Sequence, residues 1–201
     1  MSMTRFNAAW MNPVNFAAVQ YTCGYCHLLV GPNAGYHTNA PAIAKEHNAR
    51  VYICPNCNRP TFIDEKGEQF PGVPFGEAVQ HLPAEVGALY EEARVCTAAK
   101  AYTATVLALR KLLMHVAVSK GAPPDKSYLD YVNYLEAKGY VPPDGREWVD
   151  QIRSLGNEAN HEIRLMTKPE AEELIGFAEM LLKFVYEFPK RASKPKGGAA
   201  S

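Results

Sequence analysis

Two Cys-x-x-Cys motifs, CGYC (Cys23, Cys26) and CPNC (Cys54, Cys57), separated by 27 residues, restrict this chain more than any other feature. Each spacing closes a tight knuckle, and two facing knuckles supply four thiolates in the closed tetrahedron that zinc accepts without geometric strain. Pro55 and Gly24 suit turns in which backbone N–H groups point at sulfur. The spacer exceeds the usual range of about 15–20 residues, which leaves room for a loop containing Gly31, Pro32, Asn33 and Gly35. The expected cofactor is one structural Zn2+ per chain, with redox or iron–sulfur chemistry as the other use of such pairs. A closed four-thiolate site has no open coordination position. Zinc would then either replace a core too small to fold alone or hold a ribbon that binds nucleic acid or protein. Lys45, Arg50 and Arg59, with Tyr25, Tyr36 and Tyr52, give that second reading some basic and aromatic material. His27, His37 and His47 are spare ligands. The fifth cysteine, Cys96, lies among Ala, Thr and Val with no basic neighbour, and is expected to be a small core residue.

The rest of the composition sets the compartment and the class of partner. Basic and acidic residues cancel at 21 each, which excludes nucleic-acid binding by bulk charge and leaves local patches open. No apolar run reaches the roughly 18 residues that span a bilayer, and the N-terminus lacks the pattern of a signal peptide. A soluble, cytoplasmic protein without membrane association is expected, in which paired short cysteine spacings mean metal thiolates rather than disulfides.

Residues 1–75 contain short strand-like runs (RVYI and TFID flank the second pair) and form the expected zinc-ribbon domain with an N-terminal extension. QFPGVPFG, residues 69–76, reads as a linker. Helical spacing follows over 76–189, and residues 190–201 form a basic tail expected to be disordered. Five helices are predicted. The first starts near Pro83, a favoured first-turn residue. The second, from about Ala99 to Lys120, carries an apolar seam of Tyr102, Val106, Leu109, Leu113 and Val116. The third runs from Ser127 as N-cap to Gly139. The fourth opens with Asp144 as N-cap and Glu147 three residues on. The fifth begins with a capping box of Thr167 and Glu170 around Pro169 and runs to Phe188, apolar around much of its circumference, as in a bundle centre or an oligomer interface. The expected fold class is thus mainly α: a small zinc ribbon of short β-strands followed by a bundle of about five helices.

The fourth helix contains IRSLGNEANHEIRLM, in which Gly156, Asn157 and Asn160 are poor helix formers. On a wheel of about 100° per residue, Arg153, Asn157, Asn160, His161 and Arg164 share one stripe. Trp148, Ile152, Leu155, Ala159, Ile163 and Met166 lie opposite. Three readings compete: a solvated face, a buried polar network, and a binding or catalytic surface. Solvated faces favour Glu, Lys and Gln, which support a helix at no cost, so the stripe points to a purpose.

YEEARVCTAAKAYTATVLALRKLL, with its acidic–Ala entry and Arg110 near the end, followed by IRSLGNEANH, resembles a bacterial domain family of unknown function. That family is placed among the HEPN (higher eukaryotes and prokaryotes nucleotide-binding) helical domains, and the likeness covers about residues 77–188. It implies a dimer, fusion to zinc ribbons and a phage-defence or stress setting. Many HEPN domains are metal-independent RNases whose motif is an Arg, a polar residue, three more residues and a His. Asn157 and His161 match its second part, Gly156 occupies the Arg position, and Met114 stands where a carboxylate is expected. A catalytic cation would then come from Arg153 or Arg164. The resemblance therefore favours a non-catalytic interaction module, a homodimer that binds RNA in preference to DNA or a protein partner. Arg110, Arg153, Asn157, Asn160, His161 and Arg164 would be its binding residues. The alternative is a metal-independent endoribonuclease in which His161 moves protons during 2′-hydroxyl attack, Asn157 assists, and Arg153 or Arg164 neutralises phosphate charge in a dimeric cleft. Arg110 could instead snorkel from the edge of its apolar seam.

Overall fold

The computed structural model describes residues 5–15, 19–38, 49–141, 152 and 164–192. They fall into two compact units, divided between Pro74 and Phe75.

The N-terminal unit is built from seven short strands: β1 (Val14–Asn15), β2 (Tyr21–Thr22), β3 (Leu29–Val30), β4 (Ala34–His37), β5 (Arg50–Ile53), β6 (Pro60–Ile63) and β7 (Gln69–Phe70). β2 and β3 form a separate hairpin, and the other five make an antiparallel sheet in the order β1-β4-β5-β6-β7. Residues directly opposite across antiparallel strands share a face, so the register Tyr36–Val51–Phe62–Phe70 lines up four side chains on one side. The opposite side carries Gly35, Tyr52 and Thr61, and Tyr52 and Thr61 are buried. What reads in the sequence as a linker at 69–76 therefore begins as an edge strand, because Phe70 and Gln69 pair with Phe62 and Ile63.

The C-terminal unit contains four helices of ten or more residues among those described: α1 (Ala84–Ala98), α2 (Tyr102–Ser119), α3 (Tyr128–Ala137) and α4 (Lys168–Leu182). α2 packs against the other three, and its seam of Val106, Leu109, Leu113 and Val116 is fully buried. α3 opens with a reciprocal capping box. The Ser127 hydroxyl accepts from the Asp130 N–H at 3.2 Å while the Asp130 carboxylate accepts from the Ser127 N–H at 3.1 Å. At α4 the Glu170 carboxylate accepts 2.7 Å bonds from both the N–H and the hydroxyl of Thr167.

α4 does not stop before Pro189. It passes through a π-helical segment, Lys183–Glu187, into a short helix α5 (Phe188–Ala192). The Phe188 N–H bonds to Lys183, five residues back. That wider turn relaxes the clash a proline ring makes with the carbonyl four residues before it. Two carboxylates on this continuous helix tie down the segment leading into α1: Glu179 accepts from the Glu77 N–H at 2.8 Å and the buried Glu187 from the Gln80 N–H at 2.9 Å. Arg94 of α1 adds bonds to the carbonyls of Phe75 and Gly76 at 3.1 and 2.7 Å.

The expected class, mainly α with a bundle of about five helices, is corrected by this architecture. The described residues form four substantial helices plus a five-stranded antiparallel sheet. The runs RVYI and TFID supply its central strands, but two-residue strands such as β1 and β7 leave too short an alternation to register as a pattern. Of the helix proposed from Asp144, residues 144–151 and 153–163 fall outside the described residues and Ile152 is buried in the helical core. Arg164 and Met166, placed on its wheel, instead stand in non-helical chain, because Thr167 is already the extended N-cap of α4.

Candidate functional site

The two cysteine pairs sit at the tips of two hairpins. In the first, between β2 and β3, the Cys23 N–H bonds to the Leu28 carbonyl (2.9 Å) and the His27 N–H to the Cys23 carbonyl (2.8 Å). In the second, between β5 and β6, the Cys54 N–H bonds to Arg59 (3.0 Å) and the Asn58 N–H to Cys54 (2.8 Å). The two turns are equivalent residue for residue, down to left-handed backbone at His27 (φ 58°) and Asn58 (φ 59°). This geometry aims N–H groups at sulfur: Leu28 at Cys26, Asn56 and Cys57 at Cys54, Arg59 at Cys57.

The four sulfurs lie within 4.8 Å of one another. Cys23 Sγ is 3.8 Å from Cys57 Sγ, and Cys26 Sγ is 3.8 Å from Cys54 Sγ. A regular tetrahedron of four sulfurs, each about 2.3 Å from a central zinc, has edges of about 3.8 Å. The same separation is far beyond a disulfide bond of about 2.05 Å. The donor set therefore fits a thiophilic metal ion. Burial pushes the Cys57 thiol up to about 12 and raises Cys54 as well. Burial also opposes ionisation of Cys26, but the Leu28 N–H, the Asn56 side chain and neighbouring thiols bring it below the ordinary range.

The surroundings are small. The buried cluster is Tyr21, Cys23, Val30, Tyr52, Cys54 and Cys57, edged by Tyr25, Cys26 and Ile63. Half of its buried members are cysteines of that set. Arg59 stacks on Tyr25, 5.3 Å from the ring centroid, and joins the knuckles from outside. Arg50 donates to the Tyr52 hydroxyl at 3.2 Å. Lys45 lies outside the described residues. Sequence reasoning missed Asn58, whose amide donates to the carbonyls of Phe6 (2.8 Å) and Ala8 (2.9 Å), while Trp10 donates to the Asn58 carbonyl (3.0 Å). It strings the N-terminal segment across the second knuckle. A residue required at positive φ after the last cysteine was the available signal.

Gly24 has a different reason from a turn requirement. A Cβ there would stand 2.3 Å from the Pro71 carbonyl oxygen and 2.5 Å from that of Gly72, so the first knuckle and the 71–72 backbone are in direct contact.

Of the helical-domain candidates, Arg153, Asn157, Asn160 and His161 lie outside the described residues. Arg164 is placed beside α4, where its guanidinium pairs with Glu170 at 2.5 Å. Arg110 is buried in α2 and stacks on Tyr128. Cys96 is half-buried on α1, its thiol raised by burial. No helix among the described residues is long and apolar enough to cross a membrane.

Residues 91–196, just over half of the chain, match a family described as Domain of unknown function (DUF4145). No curated protein and no solved structure matches the chain.

Proposed function

The chain belongs to the DUF4145 family of domains of unknown function, and from that premise we propose that it is a zinc-stapled, non-catalytic binding module whose ligand is single-stranded RNA. The separation of the four sulfurs carries the metal part, because 3.8 Å is the edge that zinc–thiolate distances dictate. The site is closed, and its sulfurs make up much of a core too small to hold seven short strands unaided. Zinc here is structural, one ion per chain.

Two observations support RNA. Phe62 and Phe70, 39% and 45% exposed, lie 6.2 Å apart on the sheet face that also bears Tyr36. Such a row is a stacking platform for unpaired bases, worth about 1–3 kcal/mol per base. The HEPN resemblance of residues 77–188 points to the same ligand class and to a defence or stress setting. It also points to a homodimer, for which exposed Phe75, Phe184 and Phe188 offer apolar surface. Neutral net charge then gives a shallow salt dependence. The ribonuclease alternative needs a cation beside His161, and Arg164, one of its two candidates, is engaged by Glu170, which favours the non-catalytic reading.

A labelled oligoribonucleotide tests the proposal. Binding to the zinc-loaded protein, weakened about tenfold or more by F62A/F70A, with the RNA left intact, supports it. Absence of binding refutes the RNA assignment, and chelator-resistant cleavage that disappears in H161A replaces it with the ribonuclease. Sedimentation tests the dimer.

A further inference from the structure

We propose that Arg110 and Tyr128 form a binding site for a phosphate-class oxyanion in the helical domain, separate from the aromatic platform of the sheet. Arg110 is only 6% exposed, and its Nη1 is buried with no hydrogen-bond partner. Its contact is the face of Tyr128, 4.5 Å from guanidinium carbon to ring centroid. Tyr128 is likewise 6% exposed, and its hydroxyl is also buried and unpartnered. One stacked pair thus holds two orphaned donors, a cation and a neutral hydroxyl, on two different helices.

A guanidinium stays charged in proteins, and buried charges are normally paired or bound to a ligand. Among the described residues no carboxylate meets Arg110. The acid on the adjoining turn, Asp130, is already engaged by the N–H (3.1 Å) and hydroxyl (2.7 Å) of Ser127. Tyr128 opens α3, so the positive pole of that helix adds to the guanidinium. Burial holds the Tyr128 hydroxyl well above the ordinary phenol range, so it remains a donor at neutral pH. The stacked, planar guanidinium suits a ligand offering several charged oxygens to its fork, as a phosphate group does. Arg94 of the same domain shows the contrast. It is equally buried, but its donors meet Glu91 (2.6 Å) and the carbonyls of Phe75 and Gly76.

The test is thermal melting and 31P NMR of the full chain with inorganic phosphate, AMP, an oligoribonucleotide lacking terminal phosphates, and acetate as control, for the parent, R110M and Y128F. Inorganic phosphate or AMP is expected to raise the parent's melting temperature. The affinity should fall about ten- to hundredfold in R110M and severalfold in Y128F, as for a lost charged and a lost neutral hydrogen bond. Without ligand, R110M should melt at or above the parent, since an unpaired buried charge has been removed. A response to the oligoribonucleotide alone, still lost in R110M, assigns the oxyanion to a phosphodiester strand. No response in the parent, an equal response to acetate, or an undiminished phosphate response in both variants overturns the site. Should R110M not fold, the Y128F comparison decides by the same criteria. RNA binding through Phe62 and Phe70 can fail or hold independently, since those residues belong to the other unit.

Discussion

Replacing Gly24 by alanine should disable the N-terminal unit. The new Cβ would meet the Pro71 carbonyl oxygen at 2.3 Å and the Gly72 oxygen at 2.5 Å, against a floor of 3.0 Å for real contacts, so backbone must retreat by about 0.7 Å. Overpacking that side chains can absorb costs about 1–3 kcal/mol. Here the obstacle is main chain on one side and a cysteine knuckle on the other, so the upper end of that range applies. With a urea dependence near 1 kcal/mol per molar for a unit of this size, a loss of about 3 kcal/mol lowers the midpoint by roughly 3 M. Metal release into a chromophoric chelator during urea titration reads this unit without interference from the helices. Gly31→Ala is the control, since nothing lies within 4 Å of its Cβ position, and it should be neutral or slightly stabilising. If G24A and G31A release metal at the same urea concentration, the close approach of the knuckle to residues 71–72 is wrong.

The two knuckles should respond oppositely to glycine. His27→Gly removes a left-handed non-glycine residue (φ 58°) and should stabilise by about 1 kcal/mol. Asn58→Gly loses its amide bonds to Phe6 and Ala8 and should destabilise by about 1 kcal/mol net, read by the same chelator assay. In the helical domain, the Thr167 N–H, the Thr167 hydroxyl and Arg164 hold the Glu170 carboxyl below its ordinary value of 4.5. Its contribution is complete above that value and is lost as pH falls through the lower folded-state value. Far-UV circular dichroism in urea should therefore show stability declining below about pH 4.5, with a shallower decline in E170Q, and parallel curves for the two proteins would exclude this role.

The helices were legible where local chemistry decides them. Ser127 announces its N-cap and Thr167 with Glu170 their box in sequence, while the reciprocal bond between Asp130 and Ser127 emerged only in the structure, and the α2 seam repeats at steps of three and four. The cysteine pairs announce their cluster because the spacing itself dictates the turn. Of the sheet, the central pair β5 and β6 was legible as RVYI and TFID, and the outer strands were not. Val14–Asn15 and Gln69–Phe70 are two-residue strands that exist only through partners elsewhere in the chain. Continuation of the last helix past Pro189 depends on a π turn, which leaves no sequence pattern. Most importantly, Arg94, Arg110 and Glu187 look alike in sequence to any charged helical residue. Whether such a group ends buried, and whether it finds a partner, is settled by packing between helices. Arg94 ends among carbonyls and Arg110 against a ring.

X-ray absorption at the zinc edge of the purified chain bears most directly on the proposed metal staple, because Cys23, Cys26, Cys54 and Cys57 are grouped as a set that could hold one ion. One zinc per chain with four sulfur scatterers at about 2.3 Å is the expected result, reduced in coordination when Cys54 is replaced by serine. Absence of bound metal, or a first shell dominated by nitrogen and oxygen, would contradict it.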